Sequence, residues 1–117
     1  MRENVVRDKS FAFALRVVKL CQFLQREKHE YILSKQLLRS GTAVGALVRE
    51  AEQAESKADF IHKMAIALKE ASETDYWLEL LYKSEILDDR DFHLIKPDIV
   101  ELIKLLTSII KTSKKGN

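Results

Sequence analysis

Three glycines, one proline and one cysteine in 117 residues leave this chain few ways to turn and no way to staple itself. Sheet-rich folds need a supply of turn formers, so their scarcity points to long helices. Cys21 has no partner for an internal disulfide, and a single cysteine excludes a cysteine-based metal cluster. No apolar run approaches the ~20 residues that cross a bilayer, so no membrane partner is expected. The opening MRENVVRDKS lacks the apolar stretch of a signal peptide, and the expected location is the cytoplasm. Neither sign of charge dominates: a net charge of +2 does not by itself mark a nucleic-acid binder.

What is present describes a folded protein. Apolar residues make up 46% and charged residues 32%, a composition that supports one globular domain over residues 1–117. Its ends, about 1–8 and the basic stretch 112–117, are expected to fray. Charge is unevenly spread: residues 1–30 hold seven Lys/Arg against four Asp/Glu, and residues 57–85 hold four against six.

The first helix is expected over residues 9–28. On a helical wheel its apolar residues, among them Phe11, Phe13, Leu15, Val17, Val18, Leu20 and Leu24, cover more than half the circumference. A surface helix needs a stripe of only about 100°, so this helix either sits deep among several helices or, as a chain of four helices favours, turns part of its surface to another subunit. The narrow polar strip left over contains Lys9, Arg16, Lys19 and Arg26 with Phe23 among them. Basic residues around an aromatic form a candidate nucleic-acid surface; a solvated face is the plainer reading. A second helix is expected over 31–55, where Gly41 and Gly45, one turn apart, imply close approach of a neighbouring backbone. Ser56 and Asp59 form a capping box opening a third helix near Lys57. Asp88 should cap a short helical turn through His93 and Leu94. Pro97 then falls in the first turn of a last helix that runs to about Thr112. Short connections between antiparallel neighbours give an all-α, up-down-up-down four-helix bundle.

The third helix carries a second row off its core face: Ile66, Glu70, Glu73 and Trp77. Trp and Ile beside two carboxylates require neutralising cations, and Arg39 and Arg49 of the second helix are the candidates. This row is expected to be an interface, within the chain or between subunits. The same carboxylates are spaced for acid–base work, but no nucleophile or pocket-forming loop accompanies them. Asp59 and His62 form a single carboxylate-x-x-His unit, where a di-iron bundle needs two. Cys21 sits among apolar residues as a packed thiol. No glycine-rich phosphate loop is present. No enzyme, cofactor or metal is expected.

The segment QLLRSGTAVGALVREAEQAESKADFIHKMAIALKEASETDYWLELL, residues 36–81, closely resembles the small bacterial four-helix-bundle proteins encoded in intervening sequences of 23S ribosomal RNA genes. Its marks are Arg39-Ser40-Gly41, Arg49-Glu50-Ala51, Asp59-Phe60 and the run from Ala67 to Leu78; KSFAFALRVVKLCQFL resembles the family's first helix. Ala43 stands where the family commonly has Ser, and Leu47 where it commonly has Asn. The resemblance implies a bundle assembling into a homopentameric ring, similar in fold to the nucleic-acid-binding accessory protein of diversity-generating retroelements. The function to expect is then a non-enzymatic homo-oligomer that binds RNA or DNA through basic faces repeated around a ring. Its candidate contacts are Arg16, Lys19, Arg26, Lys35, Lys114 and Lys115. The alternative is a protein–protein adaptor with no nucleic-acid contact.

Overall fold

The computed structural model describes residues 2–116, with side chains from residue 5 onward. Among these, the chain forms α1 (Arg2–Glu27), α2 (Leu33–Glu52), α3 (Lys57–Lys83) and α4 (Asp89–Lys115). Each helix packs on its sequence neighbours, α1 closes against α4, and neither diagonal pair comes together. The result is an antiparallel up-down-up-down bundle of 49 × 21 × 19 Å.

Local chemistry sets most of the boundaries. Ser56 caps α3 by accepting from the Asp59 amide at 3.0 Å. The Asp59 carboxylate returns not to the cap's own amide but to that of Glu55, at 3.3 Å. Asp88 caps α4 through the Asp91 amide at 2.8 Å. α2 is started differently: the Glu30 carboxylate accepts from the amides of Ile32, Leu33 and Ser34 at 3.2, 2.9 and 2.7 Å. One side chain thus satisfies three orphan donors, so α2 begins at Leu33 rather than at Tyr31. α3 ends in a Schellman turn, with Glu85 left-handed at φ 66° and the Ile86 amide bonded to the Leu81 carbonyl at 3.0 Å.

Further boundaries differ from the sequence reading: α2 ends at Glu52 rather than near 55. α1 starts at Arg2 instead of near Lys9, and Val6, fully buried, ties this extra length to the core. α4 continues to Lys115, past the expected end near Thr112; Met1 and Asn117 lie outside the described residues. Pro97 does not open a helix but lies inside α4. Phe92, Ile95, Ile99 and Leu102 form one buried line through it, and burial of that line holds the helix together. The proline sits on the exposed side, where the bond it removes, to the His93 carbonyl, costs least.

The core is filled by Phe13, Val17 and Leu24 of α1, Leu37 and Val44 of α2, Met64, Leu78 and Leu81 of α3, and Ile99, Leu102 and Leu106 of α4. The glycines of α2 face α1. A Cβ on Gly41 would stand 2.9 Å from Val17 Cγ1, and one on Gly45 would stand 3.4 Å from the Ser10 carbonyl oxygen. Close approach of backbone therefore holds at Gly45; at Gly41 the neighbour is a side chain.

Candidate nucleic-acid interface

The register of α2 against α3 is fixed inside the bundle, where Thr74 Oγ1 lies 2.9 Å from Ser40 Oγ. That pairing places Arg39, one residue earlier, opposite both glutamates of the second row. Its guanidinium lies 2.5 Å from Glu73 Oε2 and 3.2 Å from Glu70 Oε1. That oxygen is buried without a hydrogen bond of its own, while the other oxygen of the Glu70 carboxylate accepts from Arg39 at 3.3 Å. Trp77 donates its indole N–H to the same Glu73 oxygen at 3.0 Å. The indole bond, then the guanidinium, hold the Glu73 carboxyl below the ordinary carboxylate range.

Arg49 does not join this seam. It stands over the Phe11 ring at 5.1 Å, as a cation–π contact with α1. Ten residues turn a helix to a position about 80° away, which carries Arg49 from the α3 side of α2 to the α1 side. Trp77 packs against the core and Ile66 is half-buried; Glu70, Glu73 and Trp77 join Arg39 in a contact within the chain.

The candidate basic residues do not form one surface. Arg16 is committed: it pairs with Asp98 of α4 and donates to the Leu94 carbonyl at 3.0 Å. Lys9, its neighbour on the strip, pairs with Glu101 at 3.1 Å. Lys19, Arg26 and Lys35 are exposed toward the end of the bundle where α1 turns into α2. Lys114 and Lys115 close α4 at the opposite end of the 49 Å axis. The α1 strip, the most basic in sequence, is thus partly neutralised by α4.

The structure shows another basic face. Lys104, Lys111 and Lys115 line one side of α4 together with Thr107, Ser108 and Thr112. Their spacing, i, i+7 and i+11, keeps them within about 40° of one another on the helix. Among the described residues these lysines have no acidic partner, and residues 102–116 contain no Asp or Glu. Arg90, exposed near the start of α4, belongs to the same outward side. The signal that reveals this face is the absence of acid over the last half of α4, combined with helical spacing; counting charge along the chain misses Lys104 and Lys111.

Two further features border the site. Phe23 and Leu94 line a groove of about 500 Å³ between α1 and α4, with Lys19, Arg90, Asp88 and Asp91 around it. On the other side of α1, Phe11 and Leu15 are each 50% exposed, in line with half-buried Val18. Cys21 is buried and donates to the Ser34 carbonyl at 3.3 Å; burial, with Glu30 adding to it, pushes the thiol up to about 12. Among the described residues no group of three or more His, Cys, Asp or Glu is placed to hold a metal ion. No helix there is long and apolar enough to cross a membrane.

The family model described as "23S rRNA-intervening sequence protein" matches residues 2–108. A solved structure superposes with a TM-score of 0.93 at 57% identity, covering 95% of this chain and 99% of that one. It is a protein of unknown function from the S23 ribosomal protein family of Bacteroides thetaiotaomicron VPI-5482. Among curated proteins none matches the chain.

Proposed function

This chain belongs to the 23S rRNA-intervening sequence protein family, and from that premise we propose that it is a non-enzymatic, homo-oligomeric bundle that binds RNA or DNA. The observation that carries the reading is the unopposed row Lys104, Lys111 and Lys115 on the outer side of α4. Three lysines on one chain release few counterions and bind weakly. The same row repeated in a ring of subunits engages one polyanion several times over, and affinity multiplies. The apolar line Phe11, Leu15 and Val18 supports such self-association, because a lone bundle leaves it in water. A homopentamer, as the family resemblance implies, is the assembly we propose.

This reading moves the contact surface. Arg16 is spent on Asp98, so α4 carries the binding and Lys115, of the original candidates, lies on the face itself. The test is titration with structured ribosomal RNA at two salt concentrations. Salt-sensitive binding supports the reading, and no binding at low salt ends it.

A second reading, a protein–protein adaptor, is favoured by Ile32, 76% exposed beside Tyr31 at the α1–α2 turn. Apolar docking there survives high salt, whereas lysine–phosphate contacts do not.

A further inference from the structure

The groove between the second half of α1 and the first turns of α4 is not explained by the lysine row. It pairs an aromatic ring, Phe23 at 39% exposed, with an aliphatic wall, Leu94 at 53% exposed. Two exposed cations, Lys19 and Arg90, stand on its two helices, and neither has an acidic partner among the described residues. Arg16 also lines it, but its charge is met by Asp98.

We propose that this groove takes one unpaired nucleotide of an RNA, its base stacked on Phe23 against Leu94 and its phosphate held by Lys19 and Arg90. The inference rests on the nucleic-acid reading above and names the part of the ligand that the α4 face cannot distinguish. Every base has a π-face, so a single aromatic beside cations suits single-stranded RNA. A base-paired helix keeps its bases stacked inside and offers the groove nothing to bind. The volume, about 500 Å³, falls within the range of small-ligand sites. A docked amphipathic helix is a poorer fit, because it needs apolar pockets at i, i+3, i+4 and i+7, and only Phe23 and Leu94 are exposed apolar residues here.

Two carboxylates share this groove: Asp88, tied to the Asp91 amide as the helix cap, and Asp91 lie in the same turn of α4 as Arg90, while Lys19 stands across on α1. From Arg90 the outward side of α4 leads to Lys104 roughly 20 Å further along, at 1.5 Å per residue. One strand can therefore leave the groove and run down the lysine row.

The experiment compares an RNA hairpin carrying 2-aminopurine in its unpaired loop with a fully paired duplex of the same stem. The wild-type protein should prefer the hairpin, with fluorescence rising as the base leaves its neighbours. Phe23→Ala should weaken hairpin binding by roughly five- to 150-fold, the measured span of one base–aromatic stack, and leave duplex binding unchanged. Phe23→Trp should retain the preference, which separates stacking from a folding defect. Lys104→Gln with Lys111→Gln should weaken both ligands alike. If Phe23→Ala leaves the hairpin preference and the fluorescence change intact while the lysine variant weakens both RNAs, the groove is not a base site and the α4 reading survives. If neither RNA binds at low salt, both readings fall.

Discussion

Trp77 donates its indole N–H to Glu73 one turn earlier in α3, at 3.0 Å, and the accepting oxygen is the one Arg39 approaches from α2 at 2.5 Å. Three residues of the row on α3, Glu70, Glu73 and Trp77, therefore form a hydrogen-bonded seam with Arg39 inside the chain. Trp77 covers and orients an ion pair that joins two helices.

The seam predicts a pH-dependent stability. Because Glu73 is held below its ordinary range, its contribution is complete above the unfolded carboxyl value near ~4.3 and is lost as pH falls through the lower folded value. Glu73→Gln should lower stability at neutral pH by about 0.2–1 kcal/mol, the range for a pair this exposed. Denaturant melts at pH 7 and pH 3 should show the wild type and the variant converging in acid.

The turn after α3 predicts a gain. Glu85 adopts φ 66°, where a residue with a Cβ is strained by roughly 1–2 kcal/mol and glycine is not. Glu85→Gly should raise stability by about 1 kcal/mol after the greater freedom of glycine in the unfolded chain is counted. Urea midpoints would register it, and an unchanged or lower midpoint would refute the strain.

The α1–α2 contact predicts a loss that a second change repairs. In Gly41→Ala the new methyl meets Val17 Cγ1 at 2.9 Å and Val17 Cβ at 3.3 Å, so rotating this fully buried, β-branched side chain does not clear the contact. Overpacking of about 1–3 kcal/mol should outweigh the helix propensity gained, ~1 kcal/mol. Combining it with Val17→Ala should cost less than the sum of the single changes, a coupling that a double-mutant cycle measures.

Assembly should depend on α1 rather than on the Trp77 seam. Leu15→Glu, at a half-exposed position, should shift light scattering toward smaller species without changing the fold seen by circular dichroism. Trp77→Ala should lower the melting point and leave the assembly size alone. The opposite pattern would move the subunit contact to α3.

The helices and the ion-paired seam were legible in the sequence because both rest on local periodicity and on charges that need partners. Ser56 and Asp88 announced their caps for the same reason. Glu30 did not, since its carboxylate caps α2 from outside the expected helix and nothing in its spacing marks it. Pro97 misled because propensity lost to the buried line Phe92–Ile95–Ile99. Which cations stand unopposed was not legible, because pairing across helices, as in Arg16 with Asp98 at a separation of 82 residues, is invisible along the chain. Lys104 and Lys111 stand out only once those pairs are known.

The central claim is tested most directly by the salt dependence of RNA binding in the variant with Lys104, Lys111 and Lys115 all changed to glutamine. The account predicts weaker binding and a log–log salt slope shallower by about one for each lysine that contacts a phosphate. The matching variant at Lys9 and Arg16, both already paired, should keep the wild-type slope. An unchanged slope in the α4 variant, with a loss in the α1 variant, would contradict it.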